Sequence, residues 1–214
     1  MLKSEIIQRL LDPGLIAIIR ADSSDGLLEA ADALLAGGVT ALEVTLTTPG
    51  ALPVISELAA HLGDRALIGV GTVLDVEMGR AAVGAGAQFI VTPVTKPDVI
   101  QLANYYEKPI ASGAFTPTEA LLAHESGADF IKLFPAGNAG PGYIRDLLAP
   151  LPMLRIIPTG GVTPENAGAF LQAGSVALGI GSALVSREIL QTRDWPALTA
   201  RAAAFLRAIR AARG

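Results

Sequence analysis

Four stretches of the chain repeat one arrangement of polar and apolar positions. Residues 37–44, 84–91, 126–133 and 173–180 each run from the end of a helix-period segment through a glycine and small residues into an apolar strand. The anchoring glycines, Gly38, Gly86, Gly127 and Gly174, follow one another at intervals of 48, 41 and 47 residues. A glycine in this place closes a helix in the left-handed conformation and releases the chain into the next strand. Between these stretches lie four more apolar runs ending in polar residues or glycine, over 15–20, 66–72, 108–113 and 155–161. Helical periodicity fills the gaps, for instance over 24–36, 116–125 and 163–173, and a short amphipathic helix leads the chain over 2–11. Thr116-Pro117 and Thr163-Pro164 read as N-caps followed by proline in the first helical position.

Eight strands thus alternate with eight helices after the leading helix, and such alternation with short links implies a parallel sheet. In 214 residues eight such units close most naturally as one (β/α)8 (TIM) barrel, a single α/β domain over 1–214. The rival, an open doubly wound sheet, lacks a Gly-x-Gly-x-x-Gly turn at the first helix.

Composition narrows the picture. At 51% hydrophobic but only 5% aromatic, the core is built from Ala, Val, Ile and Leu, which suits strands covered by helices on both faces. A net charge of −4 disfavours nucleic acid, whose phosphates call for a basic patch. The one basic cluster, Arg201, Arg207, Arg210 and Arg213, reads as a solvated face of a C-terminal helix. No cysteine is present, and the two histidines, His61 and His124, fall in helix-like stretches and are expected at the surface; no metal site is expected. Neither a signal-like apolar run nor a membrane-length segment is present, so the expectation is a cytoplasmic protein with no membrane partner.

The repeat also places two charges. Five residues beyond the anchoring glycines stand Glu43, Val91, Lys132 and Gly179. If the repeat maps onto alternate strands, these side chains form one layer inside the barrel, with the two charges facing each other. One reading is a structural ion pair, although desolvation offsets most of what such a pair contributes. Another is a one-residue slip that turns Lys132 outward, beneath a helix. The third is chemistry. Burial disfavours an ammonium ion, and a neutral amine is the nucleophile that turns a ketone into a carbinolamine and then an iminium. A neighbouring carboxylate can move the protons these steps need.

The strand ends supply further candidates. Arg20 closes the first strand and could grip a carboxylate with its fork, and Thr72 and Thr159 place hydroxyls on the same rim. Gly160-Gly161 after the seventh strand and Gly181-Ser182 after the eighth expose backbone N–H groups at the openings of helices, where barrels often hold phosphate.

In their order and spacing, several stretches resemble the family of 2-keto-3-deoxy-6-phosphogluconate (KDPG) and 4-hydroxy-2-oxoglutarate (KHG) aldolases. These are 37–46, 69–73, Ile131-Lys132-Leu133-Phe134-Pro135-Ala136, 158–162 and 179–182. The resemblance implies a class I aldolase without metal or organic cofactor, working as a homotrimer on a phosphorylated 2-keto-3-deoxy sugar acid and pyruvate. It implies Lys132 as the Schiff-base lysine and Glu43 as general acid/base. Thr72, Pro93 and Thr159 would line the 2-oxo acid pocket, and Gly160, Gly161, Gly181 and Ser182 would hold phosphate. Many members carry an arginine four residues after the glutamate, where this chain has Thr47, and others carry one at the end of the first strand, as Arg20 is here. The carboxylate clamp is therefore assigned to Arg20, and a 6-phosphogalactonate substrate stays open beside the gluconate one. From a different class, a phosphosugar isomerase or epimerase would use Glu43 as base and Lys132 only as a charge. A non-catalytic phosphate-binding barrel would leave both buried charges unexplained.

Overall fold

The computed structural model describes all residues from Met1 to Gly214. The leading helix α1 (Lys3–Leu11) is followed by β1 (Leu15–Ile19), α2 (Leu27–Ala36), β2 (Ala41–Thr45), α3 (Ala51–Leu62), β3 (Leu67–Gly71), α4 (Val76–Gly84) and β4 (Phe89–Val91). Then come α5 (Pro97–Tyr105), β5 (Ile110–Ala114), α6 (Pro117–Glu125), β6 (Phe130–Leu133), α7 (Ala136–Leu148), β7 (Ile156–Pro158), α8 (Pro164–Gln172) and β8 (Leu178–Ile180). The chain ends with α9 (Arg187–Thr192) and α10 (Trp195–Arg213).

Every strand pairing is parallel, in the order β7-β6-β5-β4-β3-β2-β1-β8. The last seam, β7 to β8, is drawn together by a single bridge between Thr159 and Gly179 and by the Val176 N–H to the Ile156 carbonyl (3.0 Å). The result is a nearly closed (β/α)8 barrel. All eight strands are buried throughout, because helices cover the outside and side chains fill the inside.

The four repeated glycines do what the pattern predicts: Gly38, Gly86, Gly127 and Gly174 all have φ near +100° and lie between a helix and the next strand. The proline-capped starts also form. Thr116 caps α6 with Glu119 reaching back to it, and Thr163 precedes Pro164 with its N–H donating to Asn166 Oδ1 (2.8 Å). Glu119 accepts from the N–H groups of Phe115 (2.9 Å) and Thr116 (2.8 Å) and from the Thr116 hydroxyl, and these donors hold its carboxyl below the usual carboxylate range.

Three boundaries differ from the pattern. The predicted run 155–161 is a strand only as far as Pro158, because Gly160 and Gly161 turn the chain with φ of 82° and 79°. Helix α2 begins at Leu27, after the left-handed Gly26, instead of at residue 24. The short helix expected to open at Gly181-Ser182 is a single turn there, and α9 starts only at Arg187. Arg193 is left-handed and Asp194 caps a fresh start, so the chain breaks between α9 and α10. It is α10 that packs against α2 and α8 as the eighth outer helix. Of the two histidines, His61 lies on the surface beside Asp32 (2.8 Å), whereas His124 is half-buried in α6.

The core has two parts. The larger one fills the space between strands and helices. The smaller one lies inside the barrel, where Ile16, Leu67, Phe89, Phe130 and Ile157 converge and Ile6 and Leu10 of α1 close the bottom. The α1 plug is tied down by Lys3, which pairs with Asp129 at 2.9 Å and donates to Asn104 at 2.7 Å. Phe89 reaches across the barrel floor only because Gly69 has no side chain: a Cβ there would run into the phenyl ring. Gly69→Ala should therefore cost about 1–3 kcal/mol, the usual range for overfilled cores. The readout is a lower urea midpoint at an unchanged slope; an unmoved midpoint would mean that Phe89 can shift without penalty.

Candidate active site

One layer above this apolar floor, the four positions singled out by the repeat meet. Glu43 of β2, Val91 of β4, Lys132 of β6 and Gly179 of β8 line one small cavity together with Ile16, Ala111, Ile157 and Thr159. Lys132 therefore faces inward. Its cavity has room for about one water molecule.

Lys132 Nζ stands 3.7 Å from Glu43 Oε1, and both side chains are nearly sequestered from solvent (9% and 2% exposed). This separation is too long for a direct hydrogen bond. Glu43 Oε1 has no hydrogen-bonding partner at all. Buried carboxylates are rarely left unpaired, and a pair kept for stability alone would close the gap. The arrangement leaves both groups free to engage a third molecule between them.

The neighbours explain how the two side chains fit. The Glu43 carboxylate lies over Gly71, where any side chain would collide with it. The face of Phe134 lies 5.5 Å from Lys132 Nζ, within range of a cation–π contact. The same ring packs against Gly160. Thr159 is buried with its hydroxyl against Gly179, and its N–H donates to Leu133 O (2.9 Å), which fixes β7 beside the lysine strand.

The other predicted residues surround this cavity on the rim formed by the C-terminal ends of the strands. Thr72 follows β3 with a φ of 62°, a left-handed conformation that strains a β-branched residue. Pro93 follows β4, its backbone packed on Gly113 of β5, where no Cβ would fit. Arg20 follows β1, exposed, with no ion pair or hydrogen bond from its guanidinium. At the β7 and β8 loops, the N–H groups of Gly160, Gly161, Val162, Gly181, Ser182 and Ala183 donate to no acceptor in the protein. Gly181-Ser182 opens only one helical turn, closed by the N–H groups of Leu184 and Val185 on Gly181 O, and α9 starts five residues later.

The pattern did not single out Gly137 or Thr48. Gly137 N–H donates to Gly160 O (2.7 Å), and its Cα lies so close to Gly161 that a side chain at 161 would collide with it and one at 137 would crowd Gly161. The signal for it is a glycine just past Phe134-Pro135-Ala136, but only the folded loops reveal its partner.

The sequence matches the family model described as KDPG and KHG aldolase over residues 6–201. The chain belongs to that family. It is a class I aldolase, a carbon–carbon lyase. The aldolase is 38% identical over 201 residues to the 2-dehydro-3-deoxy-6-phosphogalactonate aldolase of Escherichia coli, covering 92% of this chain and 95% of the relative. It is 37% identical over 185 residues to the 2-dehydro-3-deoxy-phosphogluconate aldolase of Pseudomonas aeruginosa, covering 85% and 82%. A crystal structure of the Legionella pneumophila KDPG aldolase, with pyruvate captured as a covalent carbinolamine, superposes with a TM-score of 0.86. That protein is 29% identical, and the match covers 92% of this chain and 96% of the other.

If the Glu43–Lys132 pair is not kept for stability, removing one charge should destabilise the aldolase by about 3–5 kcal/mol, while replacing both with apolar residues should be neutral or stabilising. Chemical denaturation of Lys132→Met, Glu43→Leu and the double variant checks this. A double variant less stable than either single one would assign the pair a structural role.

Proposed function

We propose that the aldolase reversibly cleaves 2-keto-3-deoxy-6-phosphogluconate to pyruvate and glyceraldehyde 3-phosphate through a Schiff base on Lys132. The observation that carries this reading is the buried Lys132–Glu43 pair, 3.7 Å apart, with an unpaired carboxylate oxygen. Lys132 Nζ attacks the C2 carbonyl, and loss of water from the carbinolamine gives an iminium. Glu43, acting through a water, takes the proton of the C4 hydroxyl. The C3–C4 bond breaks, its electrons pass into the iminium, and glyceraldehyde 3-phosphate leaves. Protonation of the remaining enamine at C3 and hydrolysis release pyruvate and free Lys132.

The rim residues take the substrate's two ends. Arg20 grips the carboxylate, and Thr72, Pro93 and Thr159 line the 2-oxo acid pocket. Gly160, Gly161, Gly181 and Ser182 hold the phosphate, a role supported by the free N–H groups of those loops. Exposed apolar Leu74, Met78 and Tyr105 are in keeping with the homotrimer that the family resemblance implies.

A second reading is the galactonate epimer. It is favoured by Thr47 in place of a loop arginine, by Arg20 at the end of β1, and by the Escherichia coli phosphogalactonate relative. The unphosphorylated 4-hydroxy-2-oxoglutarate uses the same chemistry to yield pyruvate and glyoxylate. The test is pyruvate release from all three compounds, followed with a coupled dehydrogenase. The gluconate epimer should give the highest kcat/KM, and inorganic phosphate should compete with the phosphorylated substrates only. Lys132→Ala should lower every rate by more than about a thousandfold with the fold kept. A higher kcat/KM on the galactonate epimer would shift the assignment to the second reading, and turnover by Lys132→Ala would overturn the Schiff-base mechanism.

A further inference from the structure

After β1 the chain runs from residue 20 to residue 26 without regular structure, and little holds its first residues in place. The Ala21 N–H donates to Thr48 Oγ1 (3.2 Å), the one hydrogen bond from residues 20–23 to another element. The remaining polar tether is an exposed ion pair between Asp22 and Arg187, of the kind that contributes little, and the half-buried Ala21 methyl packs against the main core. Thr48 is buried, and its hydroxyl belongs to a cluster: Thr45 Oγ1 lies 3.0 Å from Thr47 Oγ1 and 3.5 Å from Thr48 Oγ1. Thr45, also buried, continues the inward-facing series of β2 after Glu43. On β1, Ile16 faces the same interior, so Ile18 and Arg20 continue that series beside it. The register pairs Ile18 with Glu43 and Ile19 with Val44, which brings the exit of β1 alongside Thr45.

We infer that Thr48 is a positioning residue for Arg20. Its hydroxyl accepts the first amide beyond the arginine and so sets the direction in which the guanidinium leaves β1. This inference rests on the reading of Arg20 as the carboxylate clamp. Arg20 has no protein partner to orient its fork, so its aim is decided by its backbone. A valine at position 48 keeps the shape but cannot accept the Ala21 N–H, which is then left without a partner in a half-buried place.

The test is enzyme-catalysed exchange of the pyruvate methyl protons in deuterated water, followed by NMR. It isolates the carboxylate end because no aldehyde takes part. Arg20→Ala and Thr48→Val should each raise the KM for pyruvate, Thr48→Val by about tenfold, with kcat held within about twofold. Thr48→Ser keeps the hydroxyl and should restore the parent KM. On the Arg20→Ala background, Thr48→Val should add nothing. Thr48→Ala removes the hydroxyl without adding a methyl and replaces Thr48→Val if that variant fails to fold. An unchanged KM in the valine or alanine variant, a fall in kcat alone, or a full additional penalty on the Arg20→Ala background would overturn the inference. If Arg20→Ala itself leaves the KM unmoved, the clamp assignment falls, and this inference with it.

Discussion

A carboxylate and an ammonium group shut inside an apolar barrel are the constraint around which the rest of the structure is arranged. Each charge alone would be expensive to bury, and together they stop short of a hydrogen bond. That gap has to be maintained by the surroundings. Glu43 leans over Gly71, Phe134 lies beside the lysine nitrogen, and Thr159 packs on Gly179 at the seam where the barrel closes. Below, the Phe89 and Phe130 floor and the α1 plug shut the barrel off from its other end. The polar layer can therefore be approached only from the rim where the strands end.

Glycines do much of this placing, and not mainly through flexibility. Gly69, Gly71, Gly113 and Gly179 each stand where a neighbouring ring, carboxylate, backbone or hydroxyl occupies the space of a side chain. At the loops after β6 and β7, Gly137 and Gly161 meet back to back, which locks the segment following Lys132 to the segment following Thr159. The lysine strand and the loop proposed to hold phosphate are thereby mechanically coupled. Backbone strain is found nearby as well, at the left-handed Thr72 after β3.

Much of this was legible in the chain, because a barrel repeats one unit and repetition exposes register. Counting five residues from Gly38, Gly86, Gly127 and Gly174 was enough to put Glu43, Val91, Lys132 and Gly179 into one layer, which is where the fold brings them. The alternation of a strand cannot by itself tell inside from outside, but the shared count across four strands can. What stayed hidden depends on contacts between segments distant in sequence. Nothing in the order of residues says that Thr48 receives the amide of Ala21, or that Gly137 lies against Gly161. The end of β7 was misplaced because it hangs on two positive φ angles at Gly160 and Gly161, and the break between α9 and α10, at the left-handed Arg193, had no place in the pattern. The apolar pattern runs on through such turns.

The central claim is that Lys132 is the amine that bonds to substrate. The most direct measurement is to incubate the aldolase with pyruvate, reduce with borohydride and map the product by peptide mass spectrometry. The account predicts a reduced pyruvyl adduct on Lys132 and on no other lysine. A folded protein that carries no adduct in excess pyruvate, or one modified at a different lysine, would contradict it and leave the Glu43–Lys132 pair as an electrostatic feature of the barrel.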